Sequence, residues 1–204
     1  MSIDLKAVIG LGNPGAEHAR TRHNAGFWFA DALVDKFGGP GGSKVFHKEA
    51  RFHGHLATIT VGDHKLFVLK PSTWMNDSGR AVQALMAFHK LAPGQVLIAH
   101  DELDLPAGAV RLKVGGGHGG HNGLRDTHEQ VGPDYRRLRI GVGHPGEKHL
   151  VTNYLTSGRA SAADQKLIDE AIAAAVDALP LALDSWEKAT QQLHSRPVEG
   201  KDGN

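Results

Sequence analysis

The chain has 204 residues, of which 40% are hydrophobic and 22% charged, and its 23 Lys and Arg against 22 Asp and Glu leave a formal net charge of +1. That length suits one domain of ~100–200 residues, and 26 glycines with 9 prolines fall short of the ~25–30% share typical of low-complexity chains. The absence of cysteine excludes a disulfide scaffold, a thiolate nucleophile, an iron–sulfur cluster and every Cys-bearing zinc site, while the near-neutral balance argues against a general polyanion binder.

Residues 7–11 form a short apolar run closed by Gly12, Asn13, Pro14 and Gly15, which predicts a buried strand ending in a tight loop. Over 24–37 apolar residues recur at helical spacing and stop at Gly38-Gly39-Pro40, which predicts a helix. The segments 56–61 and 65–69 flank Gly62-Asp63-His64, a hairpin signal. A helix over 78–91, a buried strand over 96–100, strands over 110–114 and 138–142, and a helix over 121–130 behind a glycine-rich loop follow. The alanine-rich stretch 161–194 reads as helix interrupted near Pro180, and 196–204 as a flexible tail after one domain spanning 1–195.

Strands mixed with helices, including a hairpin, predict a single α/β domain with a twisted mixed β-sheet surrounded by α-helices. No stretch reaches the ~18 apolar residues of a membrane span, and residues 1–6 lack the blocks of a signal peptide, so a soluble cytoplasmic protein is expected. Basic residues outnumber acids over 111–148, whereas Asp164, Asp169, Glu170, Asp177, Asp184 and Glu187 follow in one helical region. This pattern fits a basic face or a coincidence of solvated faces.

Gly10-Leu11-Gly12-Asn13-Pro14-Gly15 matches the G-x-G-x-x-G dinucleotide fingerprint after a strand. That fingerprint requires a helix starting within the glycines and an acid closing a second strand about 20 residues on. Here the helix begins later, and Asp31 and Asp35 fall inside it. His23 precedes a helix, where it either neighbours a cap or faces a cleft. Asp101 follows a buried strand, where it either caps a turn or enters a crevice at the strand's carboxyl end. If the two pair, the carboxylate fixes the imidazole tautomer and leaves the other nitrogen as a base. Asn13, Asn76 and Asn122 are ordinary loop residues singly; together with such a pair they could orient water and donate to an oxyanion. No G-x-S-x-G elbow surrounds Ser72 or Ser78. His47, His53 and His55, or His118 and His121, lack H-E-x-x-H spacing and supporting carboxylates, so neither metal nor cofactor is expected.

Six ordered blocks carry a resemblance: residues 10–15, Thr21-Arg22-His23-Asn24-Ala25-Gly26, Lys70-Pro71-Ser72-Thr73-Trp74-Met75-Asn76 with Ser78-Gly79, His100-Asp101-Glu102-Leu103-Asp104-Leu105-Pro106, the glycine-rich 115–123, and Arg137 through Gly146. Together they resemble the bacterial-type peptidyl-tRNA hydrolases. The resemblance implies a monomeric, metal-free esterase that cleaves peptidyl-tRNA between the peptide carbonyl and the terminal ribose, contacting the acceptor stem, the 3′ end and the attached peptide. It implies His23 as general base and Asp101 as the group that holds and polarises it. Asn13 and Asn76 would position the peptidyl and terminal-adenosine end, Asn122 would bind the water or stabilise the oxyanion, and Met75 would line the groove. Lys113 and Arg139 match a pair used near the 5′ phosphate. One departure is clear: where the family usually carries Tyr after Asn-Pro-Gly, this chain has His18, which either replaces its hydrogen bond or faces solvent. Trp74 stands for the commoner Phe and still supplies an aromatic wall. Competing readings are an RNA-binding relative without activity, which intact His23, Asp101 and Asn122 argue against, and a nucleotide-dependent oxidoreductase built on the first glycine loop.

Overall fold

A computed structural model describes residues 1–198. Among these, seven strands form one mixed sheet in the order β2-β3-β4-β1-β5-β7-β6. Strand β1 (Ala7–Gly10) lies at its centre, parallel to β4 (His64–Pro71) on one side and to β5 (Val96–Glu102) on the other. β7 (Arg136–Gly141) continues the parallel set beside β5, and β6 (Val110–Val114) closes that edge antiparallel to β7. On the opposite edge β3 (Gly54–Val61) pairs antiparallel with β4, and the three-residue β2 (His47–Glu49) with β3. All four residues of β1 are buried because helices cover both faces, whereas exposed Thr58 and Thr60 alternate with buried Ala57, Ile59 and Val61 on β3, as expected for a strand with one wet face.

The two faces pack separate apolar layers. Val8, Leu97, Ala99, Leu138 and Ile140 face α1 (Ala25–Phe37), α5 (Ala162–Asp184) and α6 (Trp186–His194). Ala7, Ile9, Val96 and Ile98 face α2 (Ser78–His89) and α3 (Asn122–Val131). A short helix, α4 (Val151–Thr156), lies between β7 and α5 in the chain. The expected single α/β domain with a mixed sheet surrounded by helices is the observed architecture.

Three local differences have physical reasons. The helix expected to break near Pro180 runs unbroken from Ala162 to Asp184. Pro180 lies on its exposed side, where its ring points to solvent and the missing amide costs one bond within the helix without ending it. The helix ends instead at Ser185, whose side chain caps α6 by accepting from the Lys188 amide. His64 belongs to β4 rather than to the turn, since it pairs with Val61 and leaves Gly62 and Asp63 as a two-residue loop. At the far end, the Arg196 side chain donates to the Gly108 carbonyl at 3.0 Å, so the segment expected as tail is anchored at its first residue; 199–204 lie outside the described residues.

The parallel strands β1, β4, β5 and β7 all end on the same side, and the first helix follows β1 at close range. A Cβ added at Gly26 would lie 2.5 Å from the Leu11 nitrogen and oxygen and closer still to the Ala99 oxygen. These obstacles are backbone atoms of the central strands and cannot swing away. Gly26→Ala is therefore expected to destabilise the protein by about 3 kcal/mol, the upper end of the range for overpacking. A urea unfolding midpoint equal to that of the unsubstituted protein would contradict this close packing.

Candidate active site

The loop after β1 does not enter a helix directly. Gly15 has φ +100°, a region that suits glycine, and the chain then makes two short 3₁₀ turns, Ala16–His18 and Arg22–Asn24, before α1 starts at Ala25. The helix N-terminus thus stands ten residues beyond Gly15 in the chain instead of starting within the glycines, as the dinucleotide fingerprint requires. What the second turn presents instead is His23.

His23 meets Asp101 near the carboxyl end of β5. The His23 Nδ1 donates to Asp101 Oδ2 at 2.8 Å, with side chains 7% and 1% exposed. The other ring nitrogen, Nε2, bonds to nothing among the described residues, yet it is not sealed from the surface. The second carboxylate oxygen is also taken: His121 Nε2 donates to Asp101 Oδ1 at 2.7 Å. Burial pushes the Asp101 carboxyl up, but the His23 and His121 rings, by charge and by hydrogen bond, outweigh it and hold the group well below the usual carboxylate range. For His23 burial acts against the proton, and the charge and hydrogen bond of Asp101 act more strongly for it. The imidazole therefore titrates above its ordinary value. His100, the preceding residue on β5, goes the other way: burial first, then His121, push it down to about 3, and its Nδ1 donates to the Asp101 carbonyl at 2.8 Å.

His23, Asp101 and His121 place three donor atoms within 4.8 Å of one another, a spacing that would also suit a cation. The same atoms are engaged with one another in hydrogen bonds. His121 Nδ1 accepts from the Gly123 and Leu124 amides at 3.1 and 3.3 Å, so the ring proton sits on Nε2, between that nitrogen and Asp101. The cluster is satisfied as a run of hydrogen bonds, and a metal would have to strip two of them.

These residues open into a cleft of about 410 Å³, walled by the glycine-rich loop and Asn122 on one side and by α4, through Val151, Thr152 and Leu155, on the other. Buried Arg22, immediately before His23, ties that wall to the site: its guanidinium lies 3.7 Å above the Tyr154 ring and donates to the Tyr154 carbonyl at 3.1 Å. The cleft thus brings together an imidazole with one unbonded ring nitrogen, a carboxylate bonded to the other nitrogen, and the exposed amide of Asn122.

A family-wide sequence model described as peptidyl-tRNA hydrolase matches residues 7–201. Curated peptidyl-tRNA hydrolases of Neisseria gonorrhoeae (strain NCCP11945) and Edwardsiella ictaluri (strain 93-146) are 46% and 47% identical, covering 96% and 93% of this chain and 100% and 95% of theirs. The chain belongs to the peptidyl-tRNA hydrolase family. A crystal structure of the peptidyl-tRNA hydrolase from Acinetobacter baumannii agrees in fold, with a TM-score of 0.90 at 42% identity over 97% of this chain and 98% of that one. As a member of a hydrolase family the chain is an enzyme, which overrides the non-catalytic and oxidoreductase alternatives.

Within this member of the family the expected site residues fall into three groups. His23, Asp101 and Asn122 share the cleft. Asn13 lies in a second groove of about 360 Å³ with Asn24, Phe27 and Lys70 in its lining. It is tied to the neighbour of His23, since its amide donates to Asn24 Oδ1 at 2.8 Å. Its own Oδ1 accepts from the Met75 amide at 2.7 Å, so the loop after β1 holds the loop after β4. Met75 itself is buried, with its sulfur against Gly123 at the start of α3, and Asn76 beside it is exposed. His18 does not simply face solvent: its side chain is 21% exposed and its ring stands edge-on to Trp74 with centroids 5.7 Å apart. Lys113 and Arg139 lie on adjacent strands, β6 and β7, and neither is among the residues lining the cleft, although Glu102, which Arg139 binds, is. Lys113 pairs in register with Arg137 rather than Arg139, which makes Lys113 and Arg139 diagonal neighbours on one face. Arg139 is bound to Glu102 at 2.8 Å.

Sequence reasoning passed over His121 as a site residue, and Glu102 as the partner of Arg139. The signal for His121 was its place just before a helix that starts at Asn122, where a side chain must accept from free amides.

Proposed function

We propose that the chain hydrolyses the ester joining a peptide to the terminal ribose of tRNA, using water activated by His23. The observation that carries this is the His23–Asp101 hydrogen bond, which puts the ring proton on Nδ1 and leaves Nε2 open to the cleft as an acceptor. Nε2 removes a proton from water as the oxygen attacks the ester carbonyl. Asp101 steadies the imidazolium that forms, and the proton then passes to the departing ribose oxygen. Asn122, exposed at the mouth, offers its amide to the developing oxyanion. Asn13 spends its oxygen on Met75, so its Nδ2 is the atom available to the substrate, and with Asn76 it positions the peptidyl and adenosine end. Met75 shapes the groove by packing under Gly123, and His18 with Trp74 walls its outer part. We infer further that the unit 1–195 acts as a monomer in the cytoplasm, without metal or cofactor.

The test is to incubate the protein with N-acetylaminoacyl-tRNA and with unblocked aminoacyl-tRNA, no cofactor added, and follow release of the amino acid. Rapid release from the blocked substrate alone supports the reading; binding without release, or release from both alike, defeats it.

Lys113 and Arg139 supply the remote contact in this reading, on the 5′ phosphate of the acceptor stem. Lys113 has no acidic partner among the described residues, whereas the charge of Arg139 is partly answered by Glu102. Each charge-assisted bond lost should cost ~1.5–3 kcal/mol, with Lys113→Ala losing the more. In both variants kcat/KM for full tRNA esters should fall and its salt dependence flatten, since fewer counterions are released. An N-acylaminoacyl-adenosine ester has no such phosphate and should be cleaved as well by the variants as by the parent. Equal losses on both substrates would withdraw the phosphate role.

A further inference from the structure

Asp101 accepts from two imidazoles, and the reaction proposed above uses only one. We propose that His121 is a positioning residue: its Nε2–H, aimed by the first amides of α3, fixes the Asp101 carboxylate and limits the negative charge that Asp101 presents to His23. This rests on the reading of His23 as the base.

The argument begins with a helix cap. The amides of Gly123 and Leu124 at the start of α3 need an acceptor, and short polar side chains usually provide it. Here His121 does, through Nδ1 at 3.1 and 3.3 Å. An imidazole differs from the usual caps in carrying a second nitrogen on the far side of the ring. With two N–H groups pointed at Nδ1, the ring proton must reside on Nε2, and Nε2 points at Asp101 Oδ1 from 2.7 Å. The start of α3 thus sets the His121 tautomer, His121 sets the carboxylate plane, and the carboxylate sets the tautomer of His23. Absence of a side chain at position 123 allows the approach: a Cβ there would lie 3.2 Å from the His121 ring and 2.5 Å from the Met75 sulfur. Both partners are nearly enclosed, at 10% and 1% side-chain exposure, so water does not replace the bond.

The consequence reaches the base. A carboxylate with a donor on each oxygen has its charge divided between them, and removal of one donor leaves more for the other. Without the His121 bond Asp101 would attract the His23 imidazolium more strongly, and His23 would hold its proton to higher pH. Other titratable groups facing the cluster are His100 and Glu102 on β5, Asp104 beyond it, His118 on the glycine-rich loop, and His144 and Lys148 across the cleft. Of these only His100 also feels His121, and burial, its larger cause, holds its titration near 3, below the range in which the His23 limb is read, so the movement expected belongs to the Asp101 bond.

Two substitutions separate the two nitrogens. His121→Asn can place an oxygen where Nδ1 caps the helix but brings no N–H to Asp101. His121→Gln can reach Asp101 with an N–H and gives up the cap. Kinetics of both are read on N-acetylaminoacyl-tRNA across pH, with Tm measured alongside. His121→Asn should keep a Tm near that of the parent, lose about tenfold in kcat, the change expected for one charge-assisted hydrogen bond, and hold KM within about twofold. Its acid limb should move to higher pH. His121→Gln should recover most of kcat and return the limb, whatever its Tm. A parent-like kcat and limb in His121→Asn would overturn the proposal. So would losses in both variants that follow Tm with an unmoved limb, since His121 would then be a cap alone. ¹⁵N spectra of the unsubstituted enzyme give a reading independent of folding: a protonated Nδ1 on His121 at neutral pH also overturns it. His23→Ala run in parallel keeps the two readings apart. Full activity there removes the base itself, whereas an inactive His23→Ala beside a normal His121→Asn removes only the positioning role.

Discussion

Replacing His23 with alanine is expected to cut turnover by ~10²–10⁴-fold, the usual cost of a positioned general base, while tRNA affinity stays close to that of the parent. The separation follows from geometry. In the proposed reaction His23 acts on the attacking water, whereas the cations proposed for phosphate lie on β6 and β7, so the loss should fall on kcat with little effect on KM. The ring is held by one bond to Asp101, and its removal leaves α1 and the preceding 3₁₀ turn with their own hydrogen bonds, so the variant should fold. The pH profile of the parent enzyme carries the same prediction. Asp101 raises His23 above its ordinary value of 6.5 despite burial, and a base must be unprotonated to act. Activity should therefore fall on the acid side with a midpoint above 6.5, and His23→Ala should lack that limb. Full turnover in purified His23→Ala would sink the assignment.

How much of this was legible depended on whether a residue's role is local. Runs such as 7–11 and 96–100 announce buried strands because both faces of a central strand are covered, and the apolar residues at 57, 59 and 61 between threonines fit a strand with one wet face. Asp101 could be nominated from its place after such a strand, and His23 from its place before a helix, but their bond spans 78 residues of chain. Only the parallel order of β1 and β5 brings them together. The short β2, with two of its three residues exposed, has no apolar pattern to find, and it exists by pairing with β3. Arg139 could be matched to a pair used near the 5′ phosphate, but its bond to Glu102 could not be foreseen, because that partner stands 37 residues away on β5. Register was invisible too: both Lys113 and Arg139 could be placed on strands, but not that Arg137 faces Lys113. His121 was hidden by its composition. Among several histidines of a glycine-rich loop it looked like metal chemistry without ligands, and its distinction arises from two amides behind it and one carboxylate in front.

Asp101→Asn should be nearly as damaging as loss of the base, although it changes one atom and keeps the shape. In the native site the carboxylate accepts twice, from His23 Nδ1 and from His121 Nε2. An amide offers one oxygen and one NH₂. His121 cannot adapt, because the Gly123 and Leu124 amides hold its proton on Nε2, so the oxygen of the introduced amide must turn to His121. The NH₂ then faces His23 Nδ1, which can accept only by moving its ring proton to Nε2. That places a donor where the reaction needs an acceptor, and it also removes the charge that steadies the imidazolium. A wrong tautomer and a missing counter-charge together should cost ~10²–10⁴-fold in kcat. The comparison that isolates the tautomer is Asp101→Ala, which removes the charge but leaves Nδ1 unopposed and His23 free to take either form. Asp101→Asn is expected to be no more active than Asp101→Ala despite its better packing. An asparagine variant that clearly exceeds the alanine variant in kcat, both folded by circular dichroism, would mean that the orientation of His23 does not pass through Asp101 in this way.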